Sequence, residues 1–482
     1  MSTDHSTLGD MDPETFRREG HRVVDWLAEY FAHPQDYPVL SRAVPGQIAA
    51  SLPAAAPEHG EAFPAIFSDF ERLIVPGLTH WNHPGFFAYF SISASGPGVL
   101  AEMLTAGLNV QAMLWRTSPS ATELEAVALG WLRQLMGLPD AFEGVIYDTA
   151  SITTLHALAA ARESVVRDVR ARGMTGRDDL PPVRVYCSEH THSSIDKSVI
   201  LLGLGQSSIR RIPCDDRYAM RAELLASAIA DDRANGCVPL AVVATIGTTS
   251  STAIDPLASI AAICTREQVW LHVDAAYAGV TAIVPEWRAH FDGVELADSL
   301  VVNPHKWLFT PFDLSVLYCR RMDLLRQAFS LVPDYLTTVE AGAVKNLMDT
   351  GIQLGRRFRA LKLWMVMRYF GSEGIRTRLR DHGRLARQFA GWVDAESSWE
   401  RMAPVPFSVV CFRCHPSGMD AEPALEELNA GIMDRVNRSG EVFLSHTKLE
   451  GKYVLRMAIG NIRTTDAHVA RAWELLRQAA GA

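Results

Sequence analysis

Lys306 is the residue with the most chemistry to offer in this chain. It lies in VVNPHKWLFTPFD (301–313), where an apolar, strand-like lead-in meets Asn303, Pro304 and His305, and where Pro304 stops the ladder by removing a backbone donor. Lysines are mostly solvated surface charges. Trp307, Leu308 and Phe309, directly behind this one, would strip its hydration, lower its pKa and leave a free amine able to form a Schiff base with a carbonyl. A second group lies 32 residues upstream in VWLHVDAAYAG (269–279), where a β-rich apolar run ends on Asp274 and the small Ala275 and Ala276 leave room for a flat ligand. Either residue alone says little. A lysine that holds an aldehyde, with a strand-end carboxylate that keeps a pyridine nitrogen protonated, is the pattern that pyridoxal phosphate demands.

Both groups need strand ends to hold them, and from Gly144 onward the sequence alternates strand and helix signals. GVIYDTA precedes a helical 154–172, VRVYCSE a helix opening near His192, IRRIPC a helix at 220–235 and LAVVATIG a helix at 256–267, with VWLHVDAA closing the series. Strands joined by crossover helices predict a mainly parallel sheet covered on both faces, with ligands gathered at the strand C-termini. At one such end DTASITT sets Ala150, Ser151, Thr153 and Thr154 on a strand-to-helix junction whose free amides favour an anion, although simple capping accounts for one of these hydroxyls. His190 and His192, at i and i+2, could be imagined as metal ligands; nothing else in the sequence suggests a metal centre, and a satisfied structural histidine is the usual case.

The flanks read differently. Asp12 and Pro13 open a helix over 11–33 with Phe16, Val23, Leu27, Tyr30 and Phe31 on one face. A Pro/Ala-rich passage (44–60) and a second amphipathic helix (64–74) follow, so the first 90 residues read as an arm lying on another surface. Residues 81–90 (WNHPGFFAYF) crowd six rings together, of which Phe86 and Phe87 are expected in the core. After Arg320, LVPDYLTTVEAGAVKNLMD (331–349) reads as a mobile loop, and LGRRFRALKLWMVMRYFG (354–371) as a helix. Beyond Gly371 the pattern is helix, strand (407–413), helix (421–438), strands (441–449 and 453–459) and helix (466–479), a smaller α/β domain. The expected division is a helical arm over 1–95, a large domain over 96–370 and a small domain over 371–482.

Bulk composition narrows the classes. Of 482 residues, 48% are hydrophobic and 21% charged, which fits an ordinary globular chain with a large core. A net charge of −9 without a basic run argues against nucleic acid as a partner. No signal-like layout and no apolar run of membrane-spanning length are evident, so a cytoplasmic location is expected. Seven thinly spread cysteines do not look like a disulfide framework, and Cys411 and Cys414, a C-x-x-C within a strand-like alternation, lack a second ligand pair nearby.

HVDAAYAG (272–279) and NPHKW (303–307) resemble signatures of the group II pyridoxal-phosphate decarboxylases, specifically the aromatic-L-amino-acid decarboxylases. WNHPGFFAYF, SPSATELE (118–125), DTAS (148–151), THSSIDK (191–197), ATIGTTS (244–250), LGRRFRALKLW (354–364) and LRMAIG (455–460) extend the likeness over nearly the whole chain. The resemblance implies a fold-type I α/β enzyme with a seven-stranded, mainly parallel sheet, pyridoxal 5'-phosphate as cofactor, and a homodimer whose arm lies on the partner and whose active site is shared between subunits. It implies Lys306 as the cofactor lysine, Asp274 at the pyridine nitrogen with Thr249 orienting it, and His192 stacked on the ring. Ala150 and Ser151 would hold the phosphate, with Asn303 and His305 contributing. Trp81, Tyr89 and Phe90 would form a wall for an aromatic substrate, with Gln111 and Met113 where animal members have an apolar pair, and Thr350 and Gln353 in place of a tryptophan and a proline. Asp148 stands where animal members carry glycine, an acid that bacterial-type members tolerate. Tyr335 matches the loop tyrosine that returns a proton to Cα from the other subunit; tyrosine there marks decarboxylases and phenylalanine marks aldehyde synthases. The expected reaction is conversion of an aromatic L-amino acid to the arylalkylamine and CO2. An aldehyde synthase, an aminotransferase and a non-catalytic cofactor-binding protein are the alternatives.

Overall fold

The computed structural model describes residues 9–331 and 344–481, so Tyr335 lies outside the described residues. Asp12 caps α1 (Pro13–Ala32), its Oδ1 accepting from the Glu14 and Thr15 amides at 3.0 Å each, and Pro13 sits in the first turn, where no amide donor is needed. The Pro/Ala-rich passage holds only the short α2 (Gln47–Ser51), and the second expected helix is α3 (Phe63–Asp69) running on into tighter and wider turns as far as Gly77. Two longer helices follow, α4 (Gly96–Leu108) and α5 (Pro119–Met136).

The large sheet then forms from β1 (Glu143–Tyr147), β2 (Val183–Ser188), β3 (Ile209–Ile212), β4 (Val238–Thr245), β5 (Trp270–Asp274), β6 (Ser299–Val302) and β7 (Ser315–Cys319) in the order β1-β7-β6-β5-β4-β2-β3. The five strands from β6 to β3 pair in parallel, and β7 runs antiparallel to both neighbours. Helices α6 (Ala150–Val165), α7 (Val169–Arg172), α8 (Ser194–Leu201), α9 (Ala222–Ala234), α10 (Leu257–Glu267), α11 (Pro304–Trp307) and α12 (Met322–Phe329) connect them. Alternate strand residues enter separate cores: Val242, Ala244, Leu271 and Val273 one, and Ala241, Val243 and Trp270 the other. Burial on both faces is why these strands read as continuous apolar runs.

Two helix expectations shift. The helix expected over 154–172 begins four residues earlier and breaks after the β-branched pair Val165 and Val166, with Asp168 at φ 56° before α7 restarts. The helix expected from 354 begins only with α13 (Ala360–Ala395), because the preceding strap sends its backbone bonds outward: the Arg356 amide donates to Gln111 Oε1 and the Ala112 amide to the Arg356 carbonyl. Arg356 itself is buried against Glu125 at 2.8 Å and donates to the Ile146 carbonyl at 2.7 Å. Within α13, Gly371 leaves the helical region (φ 62°, ψ 173°), a conformation glycine adopts at little cost.

Beyond that break, β8 (Trp399–Arg401), β9 (Val409–Cys414), β10 (Ser445–Leu449) and β11 (Lys452–Ala458) make an antiparallel sheet ordered β10-β11-β9-β8, with α14 (Glu422–Arg438) and α15 (Asp466–Ala480) over a core that includes Phe389, Phe412, Ile432, Leu455 and Trp473. Cys411 and Cys414 enter opposite cores, so the C-x-x-C does not converge on one point. Among the described residues no cluster of histidine, cysteine or acidic groups could hold a metal ion, and no helix is long and apolar enough to cross a membrane.

Candidate active site

Parallel pairing sets Asp274 opposite Thr245 on β4 and Val301 on β6, so the carboxylate at the end of β5 and the lysine just past β6 emerge at the same edge of the sheet. Pro304 starts the single turn of α11 that carries Lys306. Behind the lysine the rings pack in series: Phe90 stacks on Tyr277 with centroids 3.9 Å apart, Tyr277 stacks on Trp307 at 4.9 Å, and Trp307 Nε1 donates to His382 Nδ1 at 2.9 Å. Lys306 Nζ lies 5.2 Å from the Phe90 centroid. Burial pulls the amine below its ordinary pKa; Asp274 opposes this shift and the Arg456 guanidinium adds to it. A lysine so placed is biased toward the neutral, nucleophilic amine.

Asp274 is buried and its Oδ1 accepts from the Ala276 amide at 3.1 Å. Thr249 stands in an exposed turn and makes no hydrogen bond to Asp274 among the described residues; the fixed orienting contact is the Ala276 amide. His192 precedes α8, with Nδ1 accepting from the Ser194 amide at 3.1 Å. Partial burial lowers its pKa; Asp274 opposes this, while Lys306 and Lys197 add to it, so the ring is biased toward neutrality. His190 instead meets Tyr218 edge-on at 5.3 Å.

The donors for an anion sit across the same edge. Thr149 places no side-chain cap on α6, so the first-turn amides at Ala150 and Ser151 have no partner within the helix. Asn303 Oδ1 accepts from Ser315 Oγ at 2.7 Å, and Ser315 meets Thr153 Oγ1 at 2.7 Å, which leaves the Asn303 amide nitrogen as the outward donor. His305 accepts from the Leu314 amide at 2.9 Å and burial drops its pKa to about 3, so its imidazole is neutral. Thr154 Oγ1, Thr245 Oγ1 and Arg456 Nη2 are buried without a hydrogen-bond partner among the described residues. An uncapped helix terminus, oriented amide and imidazole donors, a lysine and a buried carboxylate make a donor set that fits pyridoxal phosphate.

The expected substrate wall is only partly assembled here. Trp81 stacks on Phe86 at 4.3 Å and on Tyr89 at 5.9 Å, and Tyr89 is 55% exposed. Gln111 uses its carbonyl oxygen on the Arg356 amide and Met113 packs on Leu114 and Met348; no described contact joins either to Lys306. The Thr350 carbonyl accepts from the Tyr147 hydroxyl, and Gln353 Nε2 donates to Asp148 Oδ2 at 3.2 Å. Arg456 and Ser315 were not foreseen. Arg456 left a signal, a cation inside the apolar strand YVLRMAIG; Ser315 left none.

A family model described as the pyridoxal-dependent decarboxylase conserved domain matches residues 45–415. The chain is 42% identical to a phenylacetaldehyde synthase of Arabidopsis thaliana, over 98% of this chain and 97% of that protein. It is 42% identical to tyrosine decarboxylase 2 of Arabidopsis thaliana, over 97% of this chain and 87% of that protein. The crystal structure of Catharanthus roseus tryptophan decarboxylase in complex with L-tryptophan superposes with a TM-score of 0.91 at 36% identity, covering 98% of this chain and 99% of that one. These three are plant proteins, and the bacterial-type reading of Asp148 draws no support from them.

Proposed function

The chain belongs to the pyridoxal-dependent decarboxylase family, and from that premise we propose that it converts an aromatic L-amino acid to the arylalkylamine and CO2. Its cofactor is pyridoxal 5'-phosphate. The observation that carries the reading is the half-buried Lys306 on a strand end beside that of Asp274, with the rings of Phe90, Tyr277 and Trp307 packed behind it. The similarity to aromatic decarboxylases along nearly the whole chain supports an aromatic substrate.

Lys306 would hold the cofactor aldehyde, Asp274 the pyridine nitrogen, His192 a ring face, and the Ala150 and Ser151 amides, Asn303 and His305 the phosphate. When bound, the cofactor supplies the electron sink for the bond broken at Cα. Asp274 would keep the proton on the ring nitrogen. Trp81, Tyr89 and Phe90 would exclude water and hold the substrate ring, and Tyr335 would deliver the proton to Cα.

A homodimer with a shared active site is part of the same proposal. Phe16 and Val24 of α1 are exposed apolar residues of the kind an interface covers, which suits residues 1–95 as a dimerisation arm, and Leu100 and Met103 of α4 extend exposed apolar surface into the large domain. The break at Gly371 suits a boundary between a large domain over 96–370 and a small one over 371–482. Seven unpaired cysteines suit a reducing, cytoplasmic setting. The second reading, an aldehyde synthase, is favoured by the phenylacetaldehyde synthase relative and opposed by Tyr335. Tyr335→Phe is expected to turn product from amine toward aldehyde; unchanged amine output would remove Tyr335 from the mechanism.

A further inference from the structure

Arg456 lies in the middle of β11 and is 3% exposed. Its register partners are Ser445 on β10 and Cys411 on β9, so three neighbouring positions form a row across the small sheet. All three bond to backbone outside their own sheet. Arg456 donates from Nη1 to the Tyr89 carbonyl and from Nε to the Ser250 carbonyl at 3.0 Å, Ser445 Oγ accepts from the Tyr89 amide at 3.1 Å, and Cys411 Sγ donates to the Ser250 carbonyl at 3.2 Å. Tyr89 is thereby held at both its amide and its carbonyl while its backbone sits in the left-handed region, φ 51°, which a residue with a bulky side chain adopts only when its surroundings enforce it. The same guanidinium lies 4.6 Å from the centroid of Phe90, the ring that Lys306 Nζ approaches at 5.2 Å.

We propose that Arg456 is a positioning residue for the reaction: it locks Tyr89 and Phe90 into the wall facing Lys306 and sets a permanent cation on the ring beside that lysine. The inference rests on the reading of Lys306 as the cofactor lysine and of Tyr89 and Phe90 as substrate wall. The charged and titratable groups around Lys306 are Asp274 on β5, His192 before α8, the neighbouring His305 and Arg456 on β11. Asp274 favours the protonated amine. Arg456 opposes it, and unlike the two histidines it keeps its charge at every working pH.

The test uses purified holoenzyme and two readouts: KM for tyrosine and tryptophan, and the pH midpoint of the visible absorbance of the lysine-bound cofactor. Absorbance present in wild type and lost in Lys306→Ala secures the reading of the lysine independently of any result at Arg456. Arg456→Met is expected to raise KM about tenfold or more and to move the midpoint upward by at least about half a pH unit, since the opposing cation is gone. Arg456→Lys keeps the charge without the two carbonyl bonds, so its midpoint is expected to stay at the wild-type value while KM still rises. Wild-type values of either readout in Arg456→Met overturn the proposal. Should that variant not accumulate as folded holoenzyme, Ser445→Ala decides: several-fold higher KM with an unmoved midpoint upholds the lock on Tyr89, and an unchanged KM overturns it.

Discussion

An ammonium group gives up more hydration on burial than the aromatic side chains around it, and at Lys306 that loss is only partly returned by Asp274. The folded-state pKa therefore lies below the unfolded value of 10.5, and in the interval between them the folded chain binds fewer protons than the unfolded chain. Stability contributed by this residue consequently rises with pH across the interval. Lys306→Met is expected to melt higher than cofactor-free wild type at pH 7, with the gap narrowing toward pH 10.5, and to make no amine; thermal scans at several pH values check the first part and product assays the second. Lys306 and Asp274 were legible because each is a polar residue at the end of an apolar run. The resemblance implies Thr249 as orienting Asp274, and the Ala276 backbone amide also donates to that carboxylate. Backbone donors leave no trace in residue type.

The parallel strands were legible as apolar runs followed by helical spacing, and their C-terminal edge was placed correctly with them. β7 and β8 were not foreseen. β7 runs antiparallel between the preceding β6 and the sequence-distant β1, outside the strand-then-helix alternation that marks the parallel strands, and β8 is only 3 residues long and pairs with β9 alone. The strap over 354–359 carried helical residue types, and the Glu125 and Gln111 contacts of Arg356 override that preference. The segment over 81–90 is tied to the small sheet by long-range bonds: the Phe443 amide donates to the Gly85 carbonyl at 3.0 Å and the Phe87 amide to the Phe443 carbonyl at 2.9 Å. A Cβ on Gly85 would come within 2.1 Å of the Glu441 carbonyl oxygen, and backbone has no rotamer with which to yield. Gly85→Ala is expected to cost about 1–3 kcal/mol in urea unfolding, with the aromatic wall displaced along with the segment.

Across the whole molecule, burial holds several imidazoles neutral: His83, His272 and His382 at about 4, and His156 and His305 at about 3, against an ordinary 6.5. Each depressed value means that stability is fully present above pH 6.5 and is lost as pH falls through the folded-state values. Asp255 acts in the opposite sense, since burial raises it to about 6 and favours the folded state as pH falls toward 3.8, and burial also raises Asp298 and Glu163. The lowered imidazoles, which include His80, His190, His192, His290 and His468 besides these five, outnumber them. The melting temperature is therefore expected to fall steadily from pH 7 to pH 4, and replacing His382 by phenylalanine is expected to flatten that slope. Topology, cofactor edge and family likeness support decarboxylation of an aromatic amino acid, and product analysis tests that reading against the aldehyde synthase most directly. Cofactor-loaded protein incubated in air with tyrosine, tryptophan, phenylalanine and glutamate is predicted to release amine and CO2 from an aromatic substrate without peroxide. Aldehyde, ammonia and peroxide in place of amine would contradict the account.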